Sequence, residues 1–185
     1  MSEQAVSTVT EPPVSGEPEN VLGSPDAATD QYLTFIMAEE EYGVDILSVQ
    51  EIRGWDDATP IPNSPDFVKG VINLRGTIVP IIDLRLRFGL EQAEYGPMTV
   101  VIVLKVAGER GNKVIGIVVD AVSDVYSLGV EEMRHPPDMG DEVNTTFIKG
   151  LVDVKGKMVI LLNIDVLLNL KEIPDAETLK KIIHE

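Results

Sequence analysis

Phe67-Val-Lys-Gly-Val-Ile-Asn-Leu-Arg-Gly-Thr-Ile-Val79 and Phe147-Ile-Lys-Gly-Leu-Val-Asp-Val-Lys-Gly-Lys-Met-Val159 are two copies of one segment, 80 residues apart. Phe, Lys, both glycines and the final Val are identical, and six further pairs keep apolar or basic character. In each copy two apolar runs flank a basic residue and a glycine, Arg75-Gly76 or Lys155-Gly156. That pattern predicts a β-hairpin with a tight turn. A weaker copy lies upstream: Tyr42-Gly-Val-Asp-Ile-Leu-Ser-Val-Gln-Glu-Ile52 against Ile115-Gly-Ile-Val-Val-Asp-Ala-Val-Ser-Asp-Val125. Two copies of roughly 75 residues imply two like-folded β subdomains. A barrel of that size buries only about 60% of its unfolded surface and is marginal alone. The halves are therefore expected to pack together and share apolar surface. Short strands with glycine-centred turns point to closed barrels, which remove exposed sheet edges. The expected class is all-β with a few short helices.

Outward from the repeat, Tyr32–Met37 and Tyr42–Arg53 read as strands, the second one long and continuous. Met98–Val106 and Lys113–Val125 read as another strand pair around a turn at Gly108–Asn112. Gly54–Pro65 is rich in Pro and Asp and reads as a loop, as does Leu128–Asn144. Asp83 is placed to cap a short helix over Asp83–Phe88, with a second short helix over Asn163–Leu170. Residues 31–170 thus form the folded unit. Residues 171–185 read as a C-terminal helix or tail, with the helix at Pro174–Ile183. Residues 1–30 carry four Pro, six acids and no base. They bury too little apolar surface to offset the entropy of ordering and read as an acidic disordered tail.

Composition excludes several functions. The chain has no Cys, so disulfides, thiol catalysis and thiolate metal sites are absent. A formal charge of −16 lacks the basic footprint that phosphate neutralisation requires. No apolar run reaches the ~20 residues of a membrane span, and no secretory signal opens the chain, which makes the cytoplasm the default compartment. Phosphate loops, nucleophile elbows and metalloprotease motifs do not occur. The acids Glu39-Glu40-Glu41 and Asp56-Asp57 read as solvated turn residues. No residue constellation supports an enzyme, a metal site or a cofactor.

Three residues stand out. Arg75 sits in a strongly apolar segment, where its guanidinium must reach solvent or a carboxylate. Glu51, in an apolar strand and echoed by Asp124, is a candidate partner. The pair is either structural or a charged face for another molecule. Trp55, in the Pro-rich loop with Ile61, either caps a barrel end or anchors a partner.

Three stretches, Glu41–Gly54, Pro65–Leu84 and Ile115–Val125, resemble the CheW family of bacterial chemotaxis coupling proteins, and the likeness runs from about Gln31 to Leu170. The resemblance implies two intertwined five-stranded SH3-like barrels and a non-catalytic adaptor. Its partners would be transmembrane chemoreceptors and the regulatory domain of the histidine kinase CheA, in membrane-associated arrays. Carried over residue by residue, the receptor-facing groove falls on Val49, Glu51, Gly70, Arg75 and Gly76, with Val100, Val122 and Val125 lining it. The kinase face falls near Ala58, Thr59 and Ile61. A ring-closing contact falls near Arg134 and Met139, in a stretch (His135-Pro-Pro-Asp-Met-Gly140) where family members vary. An adaptor of a pilus-motility or other chemosensory pathway is the alternative, and a small-ligand-binding barrel is the competing class. The stretch after Leu170 is too short for an added receiver domain.

Overall fold

The computed structural model describes residues 29–140, 145–169 and Lys181. Ten strands form two curled five-stranded sheets. The first repeat supplies β1 (Thr29–Met37), β2 (Glu40–Asp45), β3 (Val49–Gly54), β4 (Val68–Leu74), β5 (Thr77–Asp83) and the short helix α1 (Leu84–Arg87). The second supplies β6 (Val100–Gly108), β7 (Gly111–Val119), β8 (Ala121–Gly129), β9 (Ile148–Val154), β10 (Lys157–Leu162) and α2 (Ile164–Leu168). The sheet orders are β8-β1-β2-β10-β9 and β3-β6-β7-β5-β4. Each repeat therefore gives two strands to one sheet and three to the other. We call the first sheet barrel A and the second barrel B. In both, the repeats meet through a parallel seam, β10 with β2 and β5 with β7.

The seams explain the glycines of the weaker repeat. Gly43 faces Leu161 and Gly116 faces Ile81 in register. A Cβ on Gly43 would lie 2.8 Å from the Leu161 side chain, and one on Gly116 would lie 2.6 Å from that of Ile81. The absent side chain lets the inward-pointing aliphatic of the neighbouring strand fill the barrel.

Two strands read as continuous are in fact broken. Tyr42–Arg53 divides into β2 and β3 around a 3-10 turn at Ile46–Ser48, where the Asp45 carboxylate accepts the Leu47 N–H at 2.9 Å. Lys113–Val125 divides into β7 and β8 at Asp120, whose N–H donates to the Ile36 carbonyl. At both points the chain crosses from one sheet to the other. Neither carries the Gly or Pro that would mark a break, and the chain passes from the mostly buried strands β2 and β7 into β3 and β8, whose partly exposed residues still follow a strand pattern. Smaller differences occur at the ends. The first strand begins at Thr29, two residues inside the acidic stretch, and Leu128–Gly129 belong to β8. The rest of the acidic tail, and the helix expected at Pro174–Ile183 apart from Lys181, lie outside the described residues.

The central core lies between the sheets. Leu33, Phe35 and Met37 enter it from β1, Ile102, Leu104 and Val106 from β6, and Leu167 and Leu168 from α2. The alternate residues of β6, Val101 and Val103, fill barrel B with Val79, Ile81 and Val118. A strand buried on both faces reads as an unbroken apolar run, as Val100–Leu104 does. Barrel A is more polar inside. Tyr32 is fully buried and Glu41 is only 8% exposed, which corrects the solvated reading of that acid. Tyr32 Oη and Glu41 Oε1 have no hydrogen-bond partner among the described residues.

The helices tie each barrel to a hairpin tip of the other. Asp120 accepts the Ala38 N–H at 2.9 Å and the Arg85 guanidinium of α1 at 2.7 Å. On the opposite side, Asp165 of α2 accepts the Ala107 N–H at 2.8 Å. Ala38 ends the β1–β2 hairpin, and Ala107 sits near the tip of β6–β7.

Candidate functional site

The two hairpin turns are the most closely matched parts of the repeat. Arg75 and Gly76 have φ of 52° and 86°, and Lys155 and Gly156 have 52° and 82°. Two consecutive positive φ values define the tight turn that matches strand twist. The Asn73 side chain accepts the Gly76 N–H at 2.8 Å, and Asp153 accepts that of Gly156 at 2.9 Å. The turn therefore holds Arg75 rigidly at a tip. Its side chain is 82% exposed and reaches Glu51 Oε2 at 3.3 Å. The contact is a close ion pair rather than a well-directed hydrogen bond, since the same oxygen lacks a hydrogen-bond partner. The Arg75 end of the pair lies in water while the Glu51 end is partly buried, and solvent at the exposed end screens the pair. The Arg75 charge is left largely in water, available to another molecule.

The other expected groove residues divide between the barrels. Val49 opens β3 and Val100 opens β6, and both are half-buried on the rim of the central core, as is Val122 of β8. Val125, also on β8, is 44% exposed. Gly70 is different: it is buried in β4 with φ 135°, and a Cβ there would lie 2.2 Å from the Thr59 carbonyl oxygen. Its glycine is required by the backbone that crosses above it, whatever else approaches.

That crossing backbone belongs to the loop of Ala58, Thr59 and Ile61. Thr59 and Val71 exchange hydrogen bonds of 2.9 and 2.8 Å, an isolated bridge that pins the loop across β4. Thr59 is exposed, Ile61 is half-buried, and Ala58 packs on the barrel B core. The same device recurs in barrel A, where Arg134 bridges Leu151, the counterpart of Val71 at the 80-residue spacing, with two bonds of 2.8 Å. Arg134 is exposed, and Met139 beyond it is 58% exposed. Two stretches singled out for different roles thus occupy equivalent places in the two barrels. Trp55 is half-buried against the barrel B core, its ring 4.4 Å from that of Tyr95, so it caps the barrel end.

Asp83 was legible as a helix cap, and it accepts the Arg85 and Leu86 N–H groups. Its second bond, from the Tyr95 hydroxyl, was not. Burial, then this hydrogen bond and the nearby Asp83 charge, raise the Tyr95 hydroxyl above its ordinary pKa. The one available signal was that Tyr95 is the only aromatic residue between Phe88 and Tyr126. The repeated lysines also gain an explanation. Lys69 lies 6.0 Å from the Tyr95 ring centre, and Lys149 lies 5.0 Å from that of Tyr32. Each covers an aromatic face at a barrel end.

No His, Asp or Glu cluster among the described residues has the arrangement of a metal site, and no described helix is long and apolar enough to cross a membrane. The chain matches the CheW-like domain family over residues 31–172. It belongs to the CheW family. Similar proteins include the chemotaxis protein CheW of Klebsiella aerogenes, 48% identical over 82% of this chain and 89% of that protein. The CheW of Rhizobium meliloti is 37% identical over 73% and 84%. Among solved structures, the scaffolding protein TtCheW of Thermoanaerobacter tengcongensis superposes with a TM-score of 0.68 at 31% identity, covering 79% of this chain and 97% of that one. The CheW-like match takes in all ten strands, save the first two residues of β1, and every candidate site residue.

Proposed function

We propose that this chain is a non-catalytic chemotaxis scaffold that couples transmembrane chemoreceptors to the histidine kinase CheA. It would work in the cytoplasm and be recruited to membrane-associated receptor arrays. The carrying observation is the family match along residues 31–172, with relatives named as chemotaxis and scaffolding proteins. The surface is consistent with docking rather than chemistry. It offers a tight charged turn, half-buried valines on the rim of the central core and a bridged loop on each barrel. Receptor contacts are assigned to Val49, Glu51, Arg75, Gly76, Val100, Val122 and Val125, with Gly70 shaping the floor. Kinase contacts are assigned to Ala58, Thr59 and Ile61, and a ring-closing contact to Arg134 and Met139.

Co-sedimentation tests the proposal. Membranes bearing chemoreceptors should pellet the chain, and should pellet CheA in larger amount when the chain is present. Failure to recruit the kinase, with receptor binding intact, would remove the coupling role.

A further inference from the structure

Asp83 is 1% exposed, and one of its oxygens caps α1 by accepting the Arg85 and Leu86 N–H groups at 2.9 and 3.3 Å. Capping does not require a carboxylate. Asn163 holds the same place before α2 and does the same work with an amide, accepting the Val166 N–H. What the carboxylate adds is its other oxygen, which takes the Tyr95 hydroxyl. Tyr95 lies in the linker between the repeats, and its ring packs against Trp55, the first residue after β3, with ring centres 4.4 Å apart and planes inclined by 51°. The Trp55 N–H donates to the Thr99 carbonyl at 3.1 Å, a second tie between the same two segments. Beyond Trp55 the loop returns to β4 at the Thr59–Val71 bridge. It leaves an open cavity of about 210 Å³ with Asp56, Asp57 and Thr59 on one wall and Val71 and Ile72 below.

We propose that Tyr95 is the positioning residue of the Gly54–Pro62 loop. It links the loop, through Trp55, to the buried Asp83 and so fixes the loop at the distance a partner must meet. The inference rests on the kinase-facing reading of that loop. A hydroxyl bonded to a buried carboxylate is directional and strong, whereas a tilted ring contact alone fixes no direction. The latch therefore sets the near end of the loop, at Trp55, while the Thr59–Val71 bridge pins its far end. The Tyr95 ring also packs on the barrel core of Val79, Ile81, Val101 and Val103, a contact that Tyr95→Phe keeps.

Trp55 is the only tryptophan, so its emission reports the latch directly. Tyr95→Phe in the full chain removes one oxygen and keeps the ring. Trp55 emission should move to longer wavelength and become more accessible to acrylamide. Affinity for the purified CheA regulatory domain should fall about tenfold, the scale of one charged hydrogen bond. Affinity for a receptor cytoplasmic fragment should stay within about twofold, as expected of a distant site. Asp83→Ser, whose single hydroxyl oxygen can cap α1 but leaves none for Tyr95, should reproduce both the spectral change and the selective loss, and decides the matter if Tyr95→Phe does not fold. Unchanged Trp55 emission in both variants overturns the latch. So does equal loss of both partners in step with lost stability. If the unaltered chain binds neither partner, the scaffold reading fails, and the latch is judged on Trp55 emission alone.

Discussion

Two glycines of the repeat carry opposite predictions. At Gly70 a methyl group would meet the Thr59 carbonyl oxygen at 2.2 Å, and backbone atoms cannot turn aside. Gly70→Ala is expected to cost on the order of 3 kcal/mol or more in urea unfolding. Any lost coupling in that variant then reports on the fold. At Gly76 nothing lies within 4 Å, so alanine there bears only the left-handed backbone penalty, roughly 1–2 kcal/mol. Equal costs at the two sites would contradict the crossing-loop geometry. Arg75 offers a cleaner probe of binding. Its side chain is 82% exposed, so Arg75→Glu should change stability by no more than about 1 kcal/mol, the scale of an exposed pair. It would set a like charge beside Glu51 and reverse the charge offered to a receptor, which can cost several kcal/mol at an interface. Receptor binding should therefore drop far more than stability, as read by titration beside thermal melting. The Glu51–Arg75 pair was legible from two charges in apolar strands. The fate of Glu41 was not, because three successive acids look alike in sequence, and the one whose side chain points into barrel A is fixed by strand register.

Elements divide in the same way between what pattern reveals and what topology decides. The hairpins β4–β5 and β9–β10 and the cap Asp83 were readable, since turn and cap chemistry is local. The breaks at Ile46–Ser48 and Asp120 were not. On both sides of each crossing the residues keep a strand pattern, buried before it and partly exposed after it, so hydrophobic periodicity does not mark where one strand ends and the next begins. The Gly54–Pro62 loop lies between these cases. Its composition announced a loop, but its bridge to Val71 depends on a pairing across β4. Ile61 is half-buried in that loop, and its carbonyl accepts the Ser64 hydroxyl at 2.8 Å. Ile61→Asp should weaken kinase binding while receptor binding stays nearly unchanged. Titrations of both purified partners at fixed salt, with circular dichroism to verify the fold, measure this. Equal loss of both would show one shared site.

For the whole molecule, alkaline pH probes the packing around the phenols. Tyr42 is raised above 10.0 by burial and then by Glu40, and Tyr95 is raised by burial, its Asp83 hydrogen bond and the Asp83 charge. Above about pH 10 the unfolded chain therefore releases phenolic protons that the folded chain retains. The unfolded state binds fewer protons there, so these groups remove stability as pH rises. Urea unfolding should show a shallower fall above pH 10 in Tyr95→Phe than in the unaltered chain, and identical slopes would refute the assignment. The exchange of strands has a different kind of consequence. A chain in which each half completes the sheet of the other has the connectivity of a domain-swapped dimer whose two subunits have been joined end to end. The join, residues 89–99, connects the two repeats and touches barrel B through Tyr95 and Thr99. Fragments 1–92 and 93–185 should each be incompletely folded alone, and should assemble when mixed into a one-to-one complex with native circular dichroism and a single sedimenting species. On this view the molecule descends in form from a symmetric pair, and fusion is what freed its two ends to differ: one barrel kept an aliphatic interior, while the other took in a tyrosine and a glutamate.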